Sequence, residues 1–215
     1  MLFKVNPNFE KRISNSEKRT SNDEKNLPLP NKSRSFASAM QKRLLLNSTN
    51  FEITIRRLCY QLIENHDDFA NSALIGLQPR GVFVASRIHQ HLSSILKIDS
   101  IQLGHLDITF YRDDFRRREI AAASETKIDF EVENKKIVLI DDVLFTGRTI
   151  RAGMDALLAM GRPQKIELLT LIDRRYSRHL PIAPDYTGLQ VDTIASEKVK
   201  VQWKETDGED SVWLI

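Results

Sequence analysis

The chain has 215 residues, 41% of them hydrophobic and 28% charged, with a formal net charge of +3. That is enough for one well-buried domain with an extension, and it fits a soluble globular protein better than a fibre or a disordered chain. No run approaches the roughly 18 apolar residues that a membrane span needs, the N-terminus has no apolar core of the secretory kind, and a single cysteine, Cys59, excludes an internal disulfide framework and suits the cytoplasm.

Residues 1–39 form a polar leader rich in Asn, Ser, Lys and Glu, with eight Lys/Arg against four Asp/Glu. It shows neither helical nor strand periodicity, so it buries too little to offset ordering and reads as disordered. Two explanations stand: Met40 is the true start of the protein, or the leader is a flexible tail. Residues 40–215 hold 24 basic and 25 acidic residues, so the basic excess belongs to the leader. A pI near 9.0 is therefore weak support for nucleic-acid binding.

The ordered pattern starts near "MQKRLLLN". In "FEITIRRLCYQLIENH" (51–66), Ile55, Leu58, Leu62 and Ile63 share one helical face, and Cys59 adjoins it as a buried structural thiol. "SALIGL" (72–77) predicts a short buried strand, "RGVFVASRIHQHLSSIL" (80–96) a helix, and "SIQLGHLDITFY" (100–111) a second strand. Next comes the charged segment "RDDFRRREIAAASET" (112–126). "KIDFEVEN" (127–134) alternates Ile128, Phe130 and Val132 with acids, the pattern of a half-exposed strand. The two flanks of the charged segment predict the arms of a long hairpin or flap. "KKIVLID" (135–141) is a continuous apolar strand, "TIRAGMDALLAMG" (149–161) an amphipathic helix ended by Gly161, and "KIELLTLID" (165–173) another buried strand. Alternating helices and continuous apolar strands imply an α/β fold with a largely parallel sheet.

The strongest chemical signal is "VLIDDVLFTGRTI" (138–150). It places two carboxylates, Asp141 and Asp142, at a strand end, where open α/β sheets bind ligands. The loop Leu144, Phe145, Thr146, Gly147, Arg148, Thr149 leads into a helix N-terminus, whose N–H groups and dipole favour phosphate. Gly147 permits close backbone approach. Acids beside a phosphate loop suit a phosphorylated sugar. Acids that merely cap the next helix are the plainer reading. Neither G-x-x-x-x-G-K-[ST] nor G-x-G-x-x-G occurs. The histidines are scattered, and His89 and His91 fall on different helix faces.

This stretch resembles the phosphoribosyl-pyrophosphate (PRPP) signature of type I phosphoribosyltransferases, and more closely the PyrR family. The resemblance covers about residues 42–215 and rests on "GLQPRG" (76–81), "DITFYRDD" (107–114), "IVLIDDVLFTGRTIRAGMDAL" (137–157), "DRRYSRHLPIAPDY" (173–186) and "SEKV" (196–199). It implies the type I fold: a mostly parallel central sheet flanked by helices, a flexible β-hairpin flap, and a small hood built from the C- and N-terminal parts. It implies transfer from PRPP to uracil, giving UMP and pyrophosphate with Mg²⁺, and control of pyrimidine genes through their leader RNA.

By the same resemblance, Pro79, Arg80 and Gly81 hold pyrophosphate, although family members often carry Thr where this chain has Pro79. Asp141 and Asp142 take the ribose hydroxyls, and residues 144–149 hold the 5′-phosphate. Arg112 reaches PRPP from the flap, Lys198 and Val199 lie at the base site, and Asp173 is an outer-sphere group for the metal or a helix cap. RNA contacts fall on Arg56, Arg57, Arg174, Arg175 and Arg178. Two departures bear on RNA: Tyr60 stands where RNA-binding members tend to have His, and "DRRYSRH" replaces a commoner glycine-containing form. The family implies a homodimer or larger oligomer. A salvage enzyme without RNA binding, or a purine or orotate phosphoribosyltransferase, remain as alternatives. The last two would lack the SEKV hood and the "DITFYRDD" flap.

Overall fold

The computed structural model describes residues 42–113, 124–194 and 196–215. The leader, and most of the charged flap segment, lie outside those residues.

The elements in chain order are β1 (Arg43–Leu46), α1 (Ser48–His66), β2 (Ser72–Leu77), α2 (Gly81–Leu96), β3 (Gln102–Leu106), a 3₁₀ turn (Thr109–Tyr111), β4 (Lys136–Leu144), α3 (Arg148–Leu158), β5 (Lys165–Arg175), β6 (Tyr186–Asp192), β7 (Val199–Gln202), the short α4 (Lys204–Asp207) and β8 (Ser211–Leu214). Five strands make a fully parallel sheet in the order β3-β2-β4-β5-β6. A second, antiparallel sheet, β1-β8-β7, forms the hood.

The period-2 alternation of the strands feeds two cores, one on each face of the parallel sheet. Leu74, Val138, Ile140, Leu169 and Leu171 point to the face covered by α1 and α2. Ala73, Ile75, Leu77, Ile137, Leu139 and Leu168 point to the face covered by α3. The predicted helical face of α1 is buried as expected at Ile55, Leu58 and Leu62. The helix starts three residues earlier than its apolar pattern, because the Asn47 side chain accepts the Asn50 N–H at 2.8 Å. Cys59 is fully buried, and burial pushes its thiol up to about 12.

Two predicted strands are corrected. The strand over 100–111 ends at Leu106, because the Asp107 carboxylate accepts the Thr109 N–H at 2.9 Å and its hydroxyl at 2.6 Å, closing a turn. Residues 127–134 form no strand; only Lys127 pairs, exchanging two 2.8 Å backbone hydrogen bonds with His105. Their alternation is real, with Val132 buried and the flanking acids exposed. Alternation reports which side faces in, not whether the backbone finds a neighbouring strand.

Candidate functional site

β2 has β3 on one side and β4 on the other, and the chain continues from β4 to β5 and β6. The direction of winding therefore reverses between β2 and β4, and the crevice beyond their carboxyl ends is the expected ligand position. Glycine is required there. A Cβ on Gly81 would lie 2.3 Å from the Ile140 carbonyl oxygen and 3.0 Å from the Asp141 Cα. The first turn of α2 thus rests directly on the end of β4. The preceding Gln78–Pro79 peptide bond is cis.

Asp141 and Asp142 lie in the last four residues of β4, which runs on to Leu144 rather than stopping at the acids, and they are 6% and 8% exposed. The Asp142 N–H donates to Asp141 Oδ1 at 2.9 Å. Burial, and then the neighbouring Asp142 charge, push the Asp141 carboxyl well above the usual carboxylate range; Arg112 pulls weakly the other way. Asp142 Oδ2 accepts a hydrogen bond from Arg80 Nε at 2.8 Å, and a second nitrogen of Arg80 donates to the Val201 carbonyl in the hood.

Beside the acids is a cavity of about 210 Å³ lined by Arg112, Asp141 and residues 143–150. Gly147 takes φ +88°, the left-handed conformation that ends the loop and starts α3. The loop's carbonyls are occupied from behind. Arg178 donates to the carbonyls of Leu144, at 3.2 Å, and Phe145. The N–H groups of His179 and Leu180 reach the Thr146 carbonyl at 3.0 and 3.3 Å. A trans peptide points its N–H opposite its C=O. The N–H groups of Phe145, Thr146 and Gly147 therefore turn away from residues 178–180, the arrangement a phosphate cradle needs.

The hood supplies a third surface. Lys198 and Ile215 exchange backbone hydrogen bonds of 2.6 and 2.9 Å, and Val199 pairs next with Leu214. Antiparallel pairs alternate, so Val199 turns its N–H and C=O away from β8, to the open edge of the sheet.

Residues 42–206 match the phosphoribosyl transferase domain family. The chain is 44% identical over 171 residues to the Bifunctional protein PyrR of Microcystis aeruginosa, covering 80% of this chain and 96% of that one. It is 40% identical over 182 residues to the Bifunctional protein PyrR of Listeria monocytogenes, covering 82% and 98%. The chain belongs to the PyrR family of phosphoribosyltransferases. Its fold is similar to a hypoxanthine-guanine phosphoribosyltransferase of Bacillus anthracis, with a TM-score of 0.60 at 13% identity over 80% of this chain and 96% of that one.

Within this PyrR-family fold, Arg80, Gly81, Arg112, Asp141, Asp142 and residues 144–149 converge on one crevice. Arg148 pairs with Asp113 at the root of the charged segment; residues 114–123 of the predicted flap lie outside the described residues. Three expectations change. Lys198 has both backbone groups taken by Ile215, so of the two residues only Val199 turns its backbone groups to the open edge. Asp173 is buried and paired with Arg178, so it serves the loop and does not cap a helix. Arg174 is 5% exposed, with its guanidinium 4.0 Å from the Phe145 ring centroid and donating to the Glu197 carbonyl at 2.8 Å. Together with Arg178, it builds the site from behind rather than offering charge to solvent. Arg56, Arg57 and Arg175 stay at the surface, bonded respectively to Glu52, to the Thr187 and Gly188 carbonyls, and to Asp192. Sequence reasoning missed the bracing role of Arg178. The only signal for it was an arginine five residues after Asp173 in the segment that follows β5.

Proposed function

We propose that this phosphoribosyltransferase moves the phosphoribosyl group of PRPP to uracil, giving UMP and pyrophosphate, and that it also acts as a UMP-responsive regulator that binds pyrimidine leader RNA. The observation that carries the enzymatic reading is the pair of buried acids beside a loop whose N–H groups turn one way over a 210 Å³ cavity. In this reading Asp141 and Asp142 accept from the ribose hydroxyls, residues 144–149 cradle the 5′-phosphate, and Arg80 with Gly81 meets the pyrophosphate. Bond breaking at the sugar develops positive charge there and negative charge on the leaving group. Arg112 lies at the cavity and supplies fixed positive charge to that side. The open edge at Val199 reads the pyrimidine through one donor and one acceptor, which explains recognition without a diagnostic side chain.

Among the described residues, no three His, Cys, Asp or Glu side chains form a cluster that could hold a metal alone. The hard carboxylate oxygens of Asp141, which lines the cavity, and of Asp142 beside it fit Mg²⁺ shared with substrate oxygens and water. What Mg²⁺ supplies there, when bound with PRPP, is neutralisation of charge on the departing pyrophosphate.

An assay of purified protein with PRPP, Mg²⁺ and either uracil, hypoxanthine or orotate tests this. UMP alone is the expected product; IMP or OMP in its place would sink the uracil reading. The regulatory half draws on family membership and on the surface arginines Arg56, Arg57 and Arg175. Its test is a gel shift with the leader RNA of the cognate pyrimidine operon, with and without UMP. Binding no tighter than to scrambled RNA, with UMP formation intact, would mean a salvage enzyme only. We place the protein in the cytoplasm as a homodimer or larger, for which sedimentation is the check. No helix among the described residues is long and apolar enough to cross a membrane. Residues 1–39 are proposed as an extension outside the catalytic domain of residues 40–215.

A further inference from the structure

Arg80, Phe83 and Arg87 follow one another along α2 at helical spacing, and all three meet the hood. Two of them anchor it. Phe83 stacks on the fully buried Trp203, with ring centroids 5.3 Å apart, and Trp203 also meets Phe51 edge-on at 5.4 Å. Arg87 bonds Glu205 at 2.8 and 2.9 Å and Asp210 at 2.8 and 3.0 Å. These contacts dock the hood without help from Arg80.

Arg80 is placed differently. Its side chain is 43% exposed, against 17% for Arg87. One guanidinium joins the Asp142 carboxylate, at 2.8 Å, to the carbonyl of Val201. Val201 pairs with Val212 two residues after the Val199–Leu214 pair, so both valines turn their backbone groups to the same open edge. Arg80 therefore donates into the very strand edge that presents Val199. The backbone of Gly81, pressed on Ile140 and Asp141, fixes the root of this side chain against β4.

We propose that Arg80 is a positioning residue for base recognition: its guanidinium sets the separation between the acids that hold the sugar and the hood edge that reads the base. The base in question rests on the uracil reading above. A planar guanidinium can serve two acceptors in a fixed geometry, whereas the point charge of a lysine cannot. Arg80→Lys keeps the charge that an anionic pyrophosphate feels and removes the bridge.

The experiment compares wild type, Arg80→Lys and, as a contrast, Arg87→Lys. For Arg80→Lys the expected result is a KM for uracil raised about tenfold, a loss of order 1.4 kcal/mol, with a smaller rise in the KM for PRPP, because Arg80 also bonds Asp142. Hydrogen exchange in the ligand-free protein should quicken across residues 199–202 and stay unchanged in the parallel sheet. Arg87→Lys should lower Tm without altering the ratio of the two KM values. Equal rises in both KM values, a rise for PRPP alone, or unchanged exchange over residues 199–202 would each overturn the proposal. If wild type makes no UMP, the uracil reading fails, and the exchange measurement still decides whether Arg80 holds β7.

Discussion

At the N-terminal edge of the parallel sheet, His66 sits between Ser72 and Glu167, and at the C-terminal edge Asp141 sits beside Asp142. Both places bury ionisable groups, with opposite outcomes. His66 Nδ1 is 2.8 Å from Ser72 Oγ and Nε2 is 2.8 Å from Glu167 Oε2. Lys165 reaches the other Glu167 oxygen at 2.5 Å, and the Tyr186 hydroxyl donates to Glu167 at 3.4 Å. A neutral imidazole that accepts from Ser72 and donates to Glu167 satisfies every one of these contacts. Burial lowers His66 below its usual range despite Glu167. Burial raises Glu167, but Lys165 and His66 more than offset it, so its carboxyl stays low. At the other edge, two carboxylates adjoin and burial drives Asp141 up. A fully paired network holds a fold together, while two adjoining carboxylates, only one of them joined to a cation among the described residues, are kept at a cost to stability.

The sharpest break of this contrast is Asp141→Asn with Asp142→Asn. Each lost charged hydrogen bond is worth about 1.5–3 kcal/mol, so PRPP binding by calorimetry should fall beyond detection while the circular dichroism spectrum is retained. Retained affinity in the folded double variant would refute the sugar-site assignment. At the opposite edge, Glu167→Ala strips a buried network of its only anion. A loss of about 3–5 kcal/mol of stability is expected in urea unfolding, with both KM values unchanged for the molecules that remain folded.

Acid should weaken one edge and strengthen the other. His66 and Glu167 have folded pKa values below their unfolded ones, so the stability they contribute is present at neutral pH. It is lost as pH falls below the ordinary histidine value of 6.5 and then the glutamate value of 4.5. Asp141 has the reverse sign. Its contribution is complete below the ordinary 3.8 and is lost as pH rises through its elevated folded value. Asp141→Asn alone should therefore raise Tm at pH 7, by roughly 1 kcal/mol of stability, and should bring little gain at pH 4. A gain of the same size at both pH values would break the argument. The smallest effect belongs to Arg175→Ala. Its pair with Asp192 is exposed and screened by solvent, so Tm should barely move, and a weaker RNA gel shift would then report contact rather than misfolding.

The α/β class, the run of β4 into its acids, and the helices were legible because burial imposes periods that survive in a single sequence. Asp141, Asp142 and the 144–149 loop were legible because strand, acids, glycine and helix are contiguous. What lies apart in the chain was not. β1 and β8 carry only four residues each, and they become a sheet only by pairing Arg43 with Leu214 across the whole chain. The surface arginines looked alike in sequence. Burial of Arg174 beneath Phe145 and the fork of Arg178 onto Asp173 depend on where the 176–182 segment returns.

The order β1-β8-β7 also bears on synthesis. A nascent chain that has emerged only through β6 already carries the acids, the loop and the arginine of α2. β7 and the central strand of the roof have yet to be made, so the edge at Val199 does not yet exist. On the proposed reading, such a chain has a place for the sugar and none for the base. The ribosome thus delivers the donor half of the site first, and the ability to choose an acceptor arrives with residues 211–214.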